Sequence, residues 1–120
     1  MTRPLNLILF DVDGTLIDSQ AHILMGMKAS FLANRIPLPN RENILATVGL
    51  SLLEAFKKLC PDLDETNHRS MVSDYKNSFS SVRSNMLPAP IYPGALSCLN
   101  TLRDIDGYVL GIATGKSRRG

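Results

Sequence analysis

The sequence predicts an α/β fold in which a helical block is inserted between two buried parallel strands. Three observations carry this. Leu5-Asn6-Leu7-Ile8-Leu9-Phe10 is an almost wholly apolar run, stopped by Asp11-Val12-Asp13-Gly14. Tyr108-Val109-Leu110-Gly111-Ile112-Ala113 is a second, opened by Asp106-Gly107 and closed by Thr114-Gly115. Between them, the roughly seventy residues of 19–87 carry helical spacing of apolar positions. Short continuous apolar runs suit strands covered on both faces, as in a parallel sheet.

Taken in order, each element has a local reason. Ser19 can cap a helix in which Ile23, Met27 and Phe31 share a face with Leu24 and Leu32, and Pro37 and Pro39 end it. Asn40 can cap a short helix through Ile44 and Leu45 to Val48, which Gly49 breaks. Leu52, Leu53, Phe56 and Leu59 form the next stripe, closed by Pro61. A long helix from about Asp64 to Ser84 carries Val72, Tyr75, Phe79 and Val82 at spacings of three and four. Pro88, Pro90 and Pro93 make an extended connector. Gly94 then opens a helix with Leu96, Leu99 and Leu102 on one side, leading into the second strand. An insertion this long exceeds an ordinary crossover. It reads as a module of its own, which divides the chain into 1–18 with 88–120 around the strands and an all-helical 19–87. The Met and aromatic stripes are then its core.

Composition sets the outer bounds. The chain has 120 residues, 44% of them hydrophobic, enough for a globular core and too many for a disordered chain. Its formal net charge is +2, and the one basic cluster, Lys116-Ser117-Arg118-Arg119, is too short to argue for a nucleic acid or membrane partner. Cys60 and Cys98 lie far apart in apolar, helix-like stretches and are expected to be buried free thiols. His22 and His68 lack metal-site spacing and are expected to be solvated or packing residues. No signal-like or membrane-length apolar segment is present, so a soluble, cytoplasmic protein is the expectation.

The chemistry concentrates just past the first strand, in Asp11-Val12-Asp13-Gly14-Thr15. Two carboxylates at i and i+2 there sit at the carboxyl edge of the sheet, where α/β proteins bind ligands. Like charges so close oppose double ionisation, so a bound cation or a shared proton is expected. One carboxylate can attack a phosphorus or carbon centre while the other handles protons. Hard oxygen ligands in an open loop favour Mg²⁺. A plain surface turn is the alternative, since Asp and Gly are common turn formers, but the apolar strand leading into the whole run argues against it.

Leu7 through Ser19 resembles the first motif of the haloacid dehalogenase superfamily, Asp-x-Asp-Gly-Thr after a buried strand. Phe10-Asp11-Val12-Asp13-Gly14-Thr15-Leu16-Ile17-Asp18-Ser19 is similar to its phosphoglycolate phosphatase-like branch, in which a helical cap follows this motif. The resemblance implies a Rossmann-like core, here incomplete with about two parallel strands, and an inserted all-helical cap. It implies that Asp11 is the nucleophile that becomes an aspartyl-phosphate. Asp13 would protonate the leaving oxygen and later activate water, with its backbone carbonyl on Mg²⁺ beside the Asp11 carboxylate. Gly14 and Thr15 would support the loop, and Asp18 would be structural. Leu110-Gly111-Ile112-Ala113-Thr114-Gly115-Lys116 resembles the second motif, which implies phosphate binding by the Thr114 hydroxyl and the Gly115 N–H. Gly49, in Thr47-Val48-Gly49-Leu50-Ser51, breaks a helix and also resembles the cap segment that contacts substrate. Pro93-Gly94-Ala95 resembles the return into the core.

A phosphatase acting on a small phosphorylated metabolite with Mg²⁺ is the function this implies. Dehalogenases of the superfamily do not need the second aspartate, and its phosphate-transporting ATPases carry Thr where Asp13 stands. A helical-cap phosphomutase remains open, as does a non-catalytic binding module. The family also uses a Lys and an acidic pair that should lie beyond residue 120, and Lys116 does not match that Lys. The expectation is therefore a truncated chain with negligible activity by itself, self-associating through an unpaired strand edge.

Overall fold

A computed structural model describes residues 3–82 and 86–118. The elements run β1 (Asn6–Phe10), α1 (Gln20–Ala33), α2 (Arg41–Leu45), α3 (Leu52–Leu59), α4 (Glu65–Val82), α5 (Ala95–Arg103) and β2 (Tyr108–Ile112). They fall into two compact units: Met1–Ser19 with Ala89–Thr114, and Gln20–Pro88 with Gly115–Gly120.

The sheet unit is a parallel β1–β2 pair with α5 packed on β2. The register sets Leu7 beside Val109, Ile8 beside Leu110 and Phe10 beside Ile112. The Pro-rich connector is tied to the loop after β1: the Asp18 N–H donates to the Pro90 carbonyl (2.8 Å) and the Tyr92 N–H to that of Leu16 (2.9 Å). The strands do not have two buried faces. Ile8, Phe10 and Leu110 are half-buried, whereas Leu7 is 63%, Leu9 58% and Val109 46% exposed. The cause is that α5 is the only described helix of this unit, and one helix cannot cover both sides of a sheet. Cys98 is exposed as well, correcting the expectation of two buried thiols. It sits on α5 beside Leu96 and Ser97, on a side turned to solvent, while Leu99 and Leu102 are half-buried.

The helical unit is built from α1 to α4 around Met27, Phe31, Ile44, Ala55, Phe56, Cys60 and Met71. Aromatic rings run through it in series: Phe31 to Phe56 at 6.0 Å, Phe56 to Tyr75 edge-on at 6.5 Å, Tyr75 to Phe79 at 5.2 Å. Helices α1 and α4 meet at Gly26, where an added Cβ would lie 2.5 Å from the Tyr75 ring and 2.9 Å from that of Phe79. Polar side chains also bond across the same seam. Ser30 Oγ donates to the Met71 carbonyl (2.8 Å), and Asn34 Nδ2 to Asp74 Oδ2 (2.9 Å). Asn40 caps α2 by accepting from the Asn43 N–H (2.8 Å), and Ser51 caps α3 by accepting from that of Glu54 (3.3 Å). Leu32 is 75% exposed, because it sits about 100° further round α1 than the buried Phe31. Helix α4 extends to Val82; the last positions expected of it, 83 and 84, lie outside the described residues, as does Arg119.

Candidate functional site

The carboxylates stand in a tight loop directly after β1. The backbone folds back on itself there: the N–H groups of Thr15, Leu16 and Ile17 converge on the Val12 carbonyl at 3.2, 3.0 and 3.1 Å, and the Gly14 N–H donates to that of Ile17 (2.9 Å). Gly14 has φ +80°, a left-handed conformation that glycine adopts without a Cβ penalty. The loop therefore turns at the residue where the sequence supplies the freedom to do so.

This turn fixes both aspartates. Asp11 is exposed; its Oδ1 accepts from the Val12 N–H (2.9 Å) and its Oδ2 from the Thr15 hydroxyl (3.2 Å). Thr15 thus braces the carboxylate expected to react. Asp13 is half-buried, and its Oδ1 accepts from the Ser19 hydroxyl at 2.6 Å. Ser19 is only 3% exposed. The sequence singled it out as a helix cap, and its tie to Asp13 was missed because it depends on the chain reversing between Gly14 and Ile17.

Thr114 reaches the same sheet edge by register. Parallel pairing of Phe10 with Ile112 continues into a bond from the Ala113 N–H to the Phe10 carbonyl (2.9 Å), so Asp11 and Thr114 both follow adjacent strand ends. Asp11, Asp13, Gly14, Thr15 and Thr114 all belong to the sheet unit. Gly49 and Gly115 group with the helical unit, where they lie against each other: a Cβ at Gly115 would be 2.7 Å from the carbonyl oxygens of Gly49 and Leu50.

Among the described residues, no group of three or more His, Cys, Asp or Glu side chains could hold a metal ion. The oxygens at the end of β1, the exposed Asp11 carboxylate and the Asp13 carbonyl, are the hard donors Mg²⁺ prefers, in a set that water or phosphate oxygens would complete. His68 is buried with Nε2 2.8 Å from the Cys60 carbonyl, a packing arrangement. His22 contacts the Leu87 carbonyl at 3.0 Å. A cleft of about 230 Å³ on the helical unit, lined by Pro39, Asn43, Ala46, Thr47, Lys58 and Leu59, includes none of the residues singled out by sequence. No described helix is long and apolar enough to cross a membrane.

Comparison with known proteins finds relatives along nearly the whole chain. The family model of haloacid dehalogenase-like hydrolases matches residues 8–120. The chain is 31% identical to "Probable phosphatase IndB" of Dickeya dadantii over 92% of its own length and 48% of that protein's. It is 32% identical to pyrophosphatase PpaX of Bacillus pumilus, over 95% and 50% respectively. The crystal structure of a "predicted phosphatase" from Clostridium acetobutylicum superimposes with a TM-score of 0.77 at 28% identity, covering 93% of this chain and 50% of that one. The chain thus spans about half the length of the curated relatives it matches. By its motif loop, its fold and these matches, the chain belongs to the haloacid dehalogenase-like hydrolase family.

Proposed function

We propose that this chain carries the nucleophile-bearing part of a Mg²⁺-dependent phosphatase acting on small phosphorylated metabolites through an aspartyl-phosphate. The observation that carries the reading is the pair of oriented carboxylates at the end of β1, one exposed and braced by Thr15, the other held by Ser19. In this reading 1–18 with 88–120 form the catalytic core and 19–87 the cap.

The chemistry divides between the two residues. An Asp11 oxygen attacks phosphorus in line, forming the acyl-phosphate bond as the bond to the leaving oxygen breaks, and Asp13 gives that oxygen its proton. Asp13 then takes a proton from water, whose oxygen attacks phosphorus, releasing phosphate and restoring the Asp11 carboxylate. Thr114 and the Gly115 N–H supply fixed donors to the phosphoryl oxygens, which stabilise the charge that builds there. The Asp11 carboxylate and the Asp13 carbonyl would hold Mg²⁺, which when bound would neutralise charge on the phosphate.

Two substrate classes have support. The branch resemblance favours a phosphomonoester such as phosphoglycolate, while the relative named pyrophosphatase PpaX favours a phosphoanhydride. The test is Mg²⁺-dependent phosphate release from phosphoglycolate, p-nitrophenyl phosphate and pyrophosphate by a full-length protein carrying this sequence. Asp11→Asn is expected to lower turnover about a thousandfold or more. Turnover unchanged in that variant would sink the nucleophile assignment. The 120-residue chain alone is expected to show negligible turnover.

A further inference from the structure

We infer that the cleft on the helical unit is a binding site for a small hydroxycarboxylate with a short apolar body. This does not rest on the phosphatase reading.

The cleft is built from local sequence. Asn43, Ala46 and Thr47 stand at i, i+3 and i+4 along α2 and the turn that follows it, so they share one face. The turn carries the helix past Leu45: the Ala46 N–H donates to the Glu42 carbonyl (2.9 Å) and the Thr47 N–H to that of Ile44 (3.0 Å). Pro39, just before the Asn40 cap, and Lys58 and Leu59, in the last turn of α3, complete the lining. The space is about 230 Å³. Sites for drug-sized ligands span roughly 300–1,000 Å³, so this one suits a smaller molecule.

The chemistry of the lining selects the ligand. Thr47 is only 3% exposed, and its hydroxyl donates to the Ile44 carbonyl at 2.7 Å. That bond commits its proton and leaves the oxygen as an acceptor, ready for a hydroxyl from the ligand. The Asn43 carboxamide makes no hydrogen bond among the described residues and can donate to an acid oxygen. Lys57 is occupied by Glu54 at 3.3 Å, whereas Lys58 forms no ion pair among the described residues. Lys58 brings the one charge of the lining, and a single ammonium matches a carboxylate monoanion. A phosphate calls for more donors, from an arginine fork or a long helix N-terminus, and the lining has neither. Pro39, Ala46 and Leu59 offer apolar contact to a carbon body. A lysine in a last helical turn also complements the carbonyls there. That role does not account for an open carboxamide and a buried acceptor in the same cleft.

The experiment titrates 2-hydroxyisovalerate into a full-length protein carrying this sequence, by calorimetry, with amide shifts locating the site. Isovalerate lacks the hydroxyl and 3-methyl-1,2-butanediol lacks the charge. The hydroxy acid is expected to bind about fivefold more tightly than isovalerate and roughly tenfold or more above the diol. Shifts are expected at 43–47 and 58–59. Lys58→Gln should weaken binding roughly tenfold or more. Ala46→Leu, which fills the cleft, should abolish it. Both positions are exposed, so unchanged thermal unfolding shows that these variants have folded. Asp11→Asn should bind as the parent does, which separates the cleft from the candidate catalytic loop. No binding, shifts confined to other regions, binding indifferent to the Lys58 and Ala46 changes, loss in Asp11→Asn, or displacement by inorganic phosphate would overturn the inference. Phosphate release is read separately: a protein that binds the hydroxy acid at 43–47 and 58–59 and does not hydrolyse phosphate esters leaves the cleft standing and counts against the phosphatase reading.

Discussion

At the scale of single residues, the loop after β1 shows what spacing reveals and what it hides. Asp11, Asp13, Gly14 and Thr15 stand out as candidates because they lie close together directly after an apolar run. Ser19 was not, since its bond to Asp13 spans six residues and forms only when the chain turns back. A hydrogen bond to a carboxylate contributes about 1.5 kcal/mol or more. Ser19→Ala in a full-length, active protein is therefore expected to lower kcat about tenfold with little change in KM, and Ser19→Thr to recover most of it. A matching loss in substrate affinity would instead mark Ser19 as a binding residue. The cysteines give a second residue-scale prediction. Cys98 is exposed, while Cys60 is buried and burial pushes its thiol above the ordinary value. Since the thiolate is the reactive form, Cys98 should alkylate readily near neutral pH and Cys60 only on unfolding. Equal labelling rates in the native chain would contradict the packing described. The raised thiol also fixes a sign. A group whose folded value is raised contributes stability that is lost as pH rises, so any Cys60 effect appears on the alkaline side.

At the scale of elements, helix stripes were legible where caps and prolines bounded them. Asn40 caps as its side chain suggested, Ser51 adds a cap that the stripe alone did not name, and Phe56 lies at the centre of its stripe. What periodicity could not supply was the exact seam between helices. Met71 is fully buried although the visible stripe of α4 starts at Val72, and Leu32 faces solvent although it extends the stripe of α1. The seam is set instead by Gly26, whose missing side chain lets α1 approach the Tyr75 and Phe79 rings. Gly26→Ala removes a helix-weakening glycine, a gain of about 1 kcal/mol. It also drives a methyl into two packed rings, and overpacking costs about 1–3 kcal/mol. A net loss of stability in thermal or denaturant unfolding is expected, and a rise would mean the rings move aside freely. Phe56→Ala, which empties the middle of the aromatic series, is expected to cost about 3–5 kcal/mol in the same measurement.

At the scale of the whole molecule, the α/β fold with its parallel strand pair was legible and the state of the sheet was not. Two apolar runs far apart in sequence announced parallel strands, and the length of the helical block announced a second unit. The sequence pattern of Leu5 to Phe10 belongs to a strand covered on both faces, yet in this chain Leu5, Leu7 and Leu9 meet solvent. A hydrophobic pattern records the environment for which a strand is suited, and it cannot say whether the covering elements are on the same chain. Exposed apolar strands with open edges associate. The 120-residue chain by itself is therefore expected to self-associate, with an apparent mass that rises with concentration in sedimentation or light scattering. Leu9→Lys places a charge on the bare face, as natural edge strands do, and should shift that equilibrium toward monomer without lowering helical content. The helical unit has its own buried core, so its unfolding should be nearly unchanged by this substitution. A chain that stays monomeric at every concentration would show that the two strands are stable without a cover, and would remove the reason for expecting association through this face.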